Sequence, residues 1–408
     1  WESDLNKQKT IAFWEKIAER YANEAWIGGY DIINETNWSF EEGKNINGIH
    51  DTSNVALLEL FTKVTEAIRA NDKNHIIFIE GNGWANNFNG LTPPWDGNMV
   101  YSFHHYWQRN VQPSIQKYID MRTQYNVPIW MGEAGENSNE WFAEAISLLE
   151  ANEIGWAWWP YKKFESNVSL ITVNPSKDYQ QIIDYQRNPS VNPRPNEAIA
   201  YAALMQLAAN HKVEACKVNK SYHDALFRQI ASTATIPYAD NIVPGNIAAV
   251  DYDLGRLNAA YFDKDYANYY ISDGGERVVY NAGGAYRNDG VDIYKDETIV
   301  GNSFFVDKIE SGEWLTYTLD VQESANYALG FQLLPSNSTG EITVILNDSL
   351  IATLAIDAQQ KERNWTTFNM QAQLEKGKVP LKIQFKQGGF AFKSIDFTIS
   401  DTTVESKN

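Results

Sequence analysis

Cysteine is nearly missing from this chain: its 408 residues include one, Cys216. That excludes an internal disulfide framework and any zinc cluster built on cysteines. Basic residues are scarce too, with 34 Lys and Arg against 52 Asp and Glu and a formal net charge of -18. Nucleic acid and anionic membrane surfaces need cationic side chains to neutralise their phosphates, so neither is an expected partner. No apolar run nears the roughly 18 residues of a membrane-spanning helix, so no membrane insertion is expected. No Gly-rich phosphate loop follows any apolar run, which removes the commonest reason for an open nucleotide-binding sheet. Repeats and low-complexity tracts are absent. The first residue is Trp1, and no charged or apolar leader follows it; the chain is expected to begin inside a domain.

What is present is ample core material, 43% hydrophobic residues, and a length that predicts two or three domains at roughly 150 residues each. Aromatics stand out, with 14 Trp, 22 Tyr and 18 Phe. Flat apolar rings with a polar handle suit sugar recognition, and they suit core packing as well.

The first half alternates apolar runs with amphipathic stretches. Helices are expected over Lys9–Asn23, Asn54–Ala70, Ser114–Tyr125, Glu140–Ala151 and Asn196–Ala209, and strands over Trp26–Ile33, His75–Ile79, Met99–Phe103, Val127–Met131 and Ile154–Trp158. Strand–helix alternation means a parallel sheet. The strands begin about 32 residues apart, which matches an eight-unit barrel of about 250 residues. After Ala231 the style changes. Segments such as Trp314–Val321, Tyr327–Leu333, Ile342–Leu346 and Lys382–Lys386 alternate apolar and polar residues between Gly, Asn and Asp clusters, the pattern of an antiparallel sandwich. The expected organisation is a barrel-type domain over 1–230, a small polar linker at 231–235, a sandwich over 236–400 and a frayed tail at 401–408.

In a parallel barrel, residues that act on substrate lie at the C-terminal ends of strands. Three of the five runs end on polar groups: Asn34-Glu35, then His104 with Tyr106, then Glu133. With three units between the two runs, Glu35 and Glu133 face each other across the barrel mouth. Two facing carboxylates are what glycoside hydrolysis requires, one to protonate the leaving oxygen and one to attack or to activate water. A strand-end Glu is equally what a solvated rim charge looks like, and Glu80 and Glu136 are read that way. The two histidines are equally readable as neutral core or rim residues, and no His–Glu spacing points to a metal.

These residues resemble a known family. Trp26-Ile27-Gly28-Gly29-Tyr30-Asp31-Ile32-Ile33-Asn34-Glu35 is similar to the fourth strand of glycoside hydrolase family 5, and Pro128-Ile129-Trp130-Met131-Gly132-Glu133 to its seventh. Ser102-Phe103-His104-His105-Tyr106 resembles the sixth, and Gly155-Trp156-Ala157-Trp158-Trp159-Pro160-Tyr161-Lys162 the eighth. The resemblance implies strands four to eight of a (β/α)8 barrel. It implies a retaining endo-acting β-glycanase on a β-1,4- or β-1,3-glucan, with a β-mannanase of the same family, or a polysaccharide-binding protein without turnover, as the alternatives. Glu35 would be the acid/base. Glu133 would be the nucleophile, kept ionised by donors such as Tyr106. Asn34 would hold the 2-hydroxyl of the reacting sugar, His104 would line the same subsite, and Trp159 would be the stacking platform, with Trp158 as its substitute. The family's second-strand Arg and third-strand His have no counterpart, so the chain is expected to be truncated at its N-terminus by roughly 90 to 110 residues and inactive alone.

Ala249–Gly255, Ala285–Ile293 and Ser311–Tyr317 resemble carbohydrate-binding module family 6. The family's structural calcium would be held by two Glu where this chain has Ala248 and Val250, so neither metal nor cofactor is expected; Asp396 alone survives from that site, and one carboxylate rarely suffices. The family's stacking Trp aligns with Glu362 and its Asn with Ala391 or Lys393, leaving Tyr286 in that cleft. The resemblance as a whole implies a monomer that is secreted, periplasmic or held at the cell surface, with a polysaccharide as its partner.

Overall fold

A computed structural model describes residues 1–400 except 42, 44–46, 300–302 and 360–363; the tail at 401–408 and Glu362 lie outside the described residues. The chain divides into two compact units. One is Trp1–Gly135 with Ser147–Trp159; the other is Glu136–Ile146 with the residues from Pro160 onward.

In the first unit, β1 (Gly29–Asp31), β2 (Ile76–Glu80), β3 (Met99–His105), β4 (Ile129–Ala134) and β5 (Gly155–Trp156) lie side by side in chain order. Every neighbouring pair is parallel. Helices α1 (Asp4–Tyr21), α2 (Val55–Asn71), α4 (Gln112–Tyr125) and α5 (Asn139–Ala151) alternate with them, and between β2 and β3 stands only α3 (Asn82–Ala85), a short turn with left-handed residues. This is the winding of a (β/α)8 barrel over five consecutive strands. The seven residues of β3 are all buried, as expected of a central parallel strand covered on both faces. On α2, Leu57, Leu60, Phe61, Val64 and Ile68 recur at helical spacing and are buried.

The first strand is shorter than its apolar run predicts. Trp26 is 95% exposed, and pairing starts only at Gly29, opposite Ile76. A Cβ at Gly29 would stand 2.4 Å from the Ile76 carbonyl oxygen, so the two strands meet only because that residue is glycine. The fourth strand runs further than expected, to Ala134, and takes Glu133 inside it.

The second unit holds a small sheet that the sequence pattern does not reveal. It consists of β6 (Lys162–Phe164) parallel to β7 (Ile171–Val173), with β8 (Lys217–Val218) antiparallel. Strands of two or three residues are too short to show an alternation. Helices α6 (Lys177–Arg187), α7 (Glu197–Asn210) and α8 (Lys220–Ala231) accompany it. The sandwich follows. One sheet runs β12 (Ile293–Lys295), β13 (Phe304–Val306), β20 (Phe390–Ile399), β15 (Ala325–Pro335) and β18 (Thr366–Leu374), with β10 (Gly245–Ala248) also on β20. The other runs β11 (Tyr261–Phe262), β14 (Trp314–Val321), β19 (Gly377–Gln387), β16 (Gly340–Leu346) and β17 (Ser349–Ile356), with β9 (Ile242–Val243) on β14. Alternate residues of β14, Leu315, Tyr317, Leu319 and Val321, are buried. They join Phe331, Val344, Ile383 and Phe392 in a single core.

A buried polar knot organises one end of this unit. Arg287 is 1% exposed; its Nε donates to Asp289 Oδ2 at 2.6 Å, its Nη1 to the Tyr252 carbonyl, and its guanidinium lies 3.6 Å from the Tyr252 ring centre. The first turn of α5 belongs to the same knot. Asn139 Nδ2 donates to Asp289 Oδ1 at 2.7 Å, Asn288 Nδ2 to the Asn137 carbonyl at 2.8 Å, and Glu140 pairs with Arg256 at 3.2 Å. The buried polar side chains named here each have a partner, the condition for burying them at all.

Candidate active site

Glu35 lies four residues after β1, His104 lies near the end of β3, Tyr106 just beyond it, and Glu133 near the end of β4. All four therefore sit at the C-terminal edge of the parallel sheet. A register shift between Phe103 and His104 sets His104 directly opposite Glu133. Such an irregularity re-aims a side chain without ending the strand.

Glu35 has φ 46°, a left-handed conformation that costs a non-glycine residue about 1 kcal/mol or more. Its backbone N–H donates to Glu80 Oε2 at 2.6 Å. Its own Oε1 lies 2.7 Å from His104 Nδ1, and the other imidazole nitrogen lies 3.2 Å from Glu80 Oε1. The Tyr106 hydroxyl donates to Glu133 Oε1 at 2.6 Å. Carboxylate oxygens of Glu35 and Glu133 and a nitrogen of His104 all fall within 4.8 Å of one another.

The electrostatics follow from that packing. Burial works against a charge on His104, but the hydrogen bonds to Glu35 and Glu80 and the Glu133 charge outweigh it and push the imidazole up to about 9. It is then an imidazolium at neutral pH, a donor at both nitrogens. Glu35, His104 and Glu133 are close enough to ligate a cation, and His104 would have to give up a proton to do so. Burial pushes Glu133 above the usual carboxylate range; Tyr106 and His104 pull it down, and Glu35 and Glu80 add to the rise.

Glu80 is the residue that the sequence reading misplaces. Read as a solvated rim charge, it is 2% exposed and stands in the middle of this network. The signal was present, since it ends an apolar run just as Glu35 and Glu133 do. Glu136 is partly exposed and pairs with Lys163 at 3.1 Å. Asn34 is exposed beside Glu35. Trp159 is half exposed, and its backbone N–H donates to the Ala134 carbonyl at 2.7 Å. A Cβ at Gly135 would lie 1.9 Å from the Trp159 carbonyl oxygen, so a glycine there lets Trp159 abut the end of the Glu133 strand. Trp158 instead packs edge-on against Trp156 at 5.8 Å.

On the sandwich, Ala248 and Val250 offer no ligand oxygen from their side chains, and Asp396 accepts from Asn246 Nδ2 at 2.6 Å. The Tyr286 hydroxyl donates to Asp251 at 2.6 Å, with its ring against Phe304. Lys393 is tied to Asp296 at 2.7 Å, and Ala391 is fully buried.

Comparison with known proteins finds a family match in each of two stretches. Residues 2–165 match the family model "Cellulase (glycosyl hydrolase family 5)", and residues 281–399 match "Carbohydrate binding module (family 6)". A β-xylosidase of Phanerodontia chrysosporium is 22% identical over 199 residues, 40% of this chain and 39% of that protein; the chain thus spans about two fifths of that relative. Among solved structures, an endoglucanase of Thermotoga maritima is 18% identical over 41% of this chain and 62% of its own, with a TM-score of 0.33. A carbohydrate binding module of a Cellvibrio mixtus lichenase, in complex with cellotriose, is 24% identical over 25% of this chain and 82% of its own, with a TM-score of 0.23. A Clostridium stercorarium module in complex with cellobiose is 17% identical over 40% and 98%, with a TM-score of 0.27.

Proposed function

Because residues 2–165 belong to glycosyl hydrolase family 5 and residues 281–399 to the family 6 carbohydrate-binding modules, we propose that the site of Glu35 and Glu133 hydrolyses β-glycosidic bonds of a glucan with retention. The observation that carries this reading is the spacing of the two carboxylates, with oxygens within 4.8 Å. Retaining enzymes hold their carboxyls about 5–5.5 Å apart, whereas inverting ones leave about 6.5–9.5 Å for a water.

Glu133 attacks the anomeric carbon while Glu35 gives its proton to the departing glycosidic oxygen, and a glycosyl ester forms on Glu133. Glu35, now a carboxylate, takes a proton from water; the water oxygen attacks the same carbon and releases Glu133. Asn34 bonds the 2-hydroxyl, and Trp159 offers its exposed face to the sugar ring. The sandwich takes part by holding the polymer, in the manner of modules solved with cellotriose and cellobiose. A polymeric substrate places the protein outside the cytoplasm. No described helix is long and apolar enough to cross a membrane.

The test is reducing-sugar release on a panel of β-1,4- and β-1,3-glucans, mannan and xylan, with the anomer of the first product followed by NMR. A β-anomer released from glucan supports the reading. An α-anomer, or release from mannan or xylan alone, overturns it.

A further inference from the structure

Glu80 is a buried ionisable group of this site to which the hydrolytic steps give no task. It is 2% exposed, and its two oxygens are divided between two members of the site. Oε2 accepts the backbone N–H of Glu35 at 2.6 Å, and Oε1 lies 3.2 Å from His104 Nε2. His104 Nδ1 returns to Glu35 Oε1 at 2.7 Å. Glu80 therefore grips Glu35 twice, at its backbone and, through the imidazole, at its carboxylate. The ring closes on a residue whose φ of 46° would relax without a tether.

We propose that Glu80 is a positioning residue of this site, holding Glu35 in its left-handed backbone conformation and the His104 imidazole against the Glu35 carboxylate. This rests on Glu35 being the acid/base. The ionisable groups facing Glu80 are Asp31 on β1, Glu35 after it, His104 on β3 and, further off, Glu133 on β4. The protein packed around Asp31, although its outer side meets solvent, and the Glu80 charge beside it hold its carboxyl well above the usual carboxylate range. The His104 charge is thus what offsets Glu80. A Glu at this position can accept from both the Glu35 N–H and an imidazolium. A Gln can accept from one, and its amide then faces the other with a donor.

The experiment is an NMR titration of the imidazole signals of the full chain, whose six histidines leave few signals to assign, with His104→Asn identifying the signal of interest. In the wild-type protein His104 is expected to stay doubly protonated up to about pH 9. In Glu80→Gln, which keeps the shape, its midpoint should drop by one unit or more, and hydrolysis of unactivated glycan should fall at least tenfold more than that of an aryl glycoside with a good leaving group. A wild-type midpoint near 6.5 overturns the proposal, whether or not the variant folds. So does an unmoved midpoint in a folded Glu80→Gln protein. If the midpoint moves while neither this chain nor one extended to eight barrel strands cleaves glycan or aryl glycoside, the positioning stands and the glycanase reading fails. If the midpoint stays while Glu35→Gln loses only unactivated substrates, the reading stands and the positioning fails.

Discussion

The Tyr106 hydroxyl reaches Glu133 Oε1 at 2.6 Å, in a site where burial raises that same carboxyl. The bond favours the ionised form, and the ionised form is the nucleophile. In Tyr106→Phe, Glu133 would hold its proton to higher pH. The acid limb of kcat/KM on an activated aryl glycoside is therefore expected to move up by about one unit, with roughly tenfold loss below it. An acid limb that stays in place would separate Tyr106 from the nucleophile.

Glu133→Gln should lower turnover on the order of 10³-fold or more on every substrate, since no glycosyl ester can form. Glu35→Gln should spare substrates whose leaving groups need no proton. Equal losses on activated and unactivated substrates would remove Glu35 from the acid/base role.

Trp159→Ala should raise KM about tenfold by deleting an exposed stacking face, with kcat changed less. Trp158 is turned toward Trp156, so Trp158→Ala should act mainly on stability. Reversed KM effects in the two variants would mean that the platform is Trp158.

Asp289→Ala would strip the counter-charge from Arg287, which is 1% exposed. Removing one partner of a buried pair costs about 3–5 kcal/mol. Urea unfolding followed at the second unit should show that loss; a change below about 1 kcal/mol would mean that water reaches the guanidinium. For the sandwich, chelator is expected to leave the melting temperature unshifted. A fall of several degrees with EDTA, reversed by calcium, would contradict this.

How much of this could be read in advance depends on the range of the interaction concerned. Glu35 and Glu133 were legible because each ends an apolar run, a local pattern that the strand period makes visible. Glu80 ends such a run too, but nothing near it in the chain says whether a strand end faces water or a neighbouring histidine; that depends on the later strand carrying His104. The short extent of β1 was half-written in Gly28-Gly29, yet a Trp-Ile run ahead of two glycines reads as strand until a partner fails to pair with it. The attachment of Asn137, Asn139 and Glu140 to Asn288, Asp289 and Arg256 was invisible, because each pair is more than a hundred residues apart and asparagine carries no periodic signal.

That attachment bears on inheritance. The chain passes from one compact unit to the other after Gly135, after Ile146 and after Trp159. A module on a single tether can be cut out and rejoined elsewhere by one recombination event. Here an exchange at the small residues Ala231–Thr235 would part Asp289 from Asn139 and Arg256 from Glu140, stranding polar groups that two segments of the second unit bury together. Chimaeras that carry residues 136–146 along with the sandwich keep these bonds, so the smallest piece that recombination can move intact is larger than the sandwich alone.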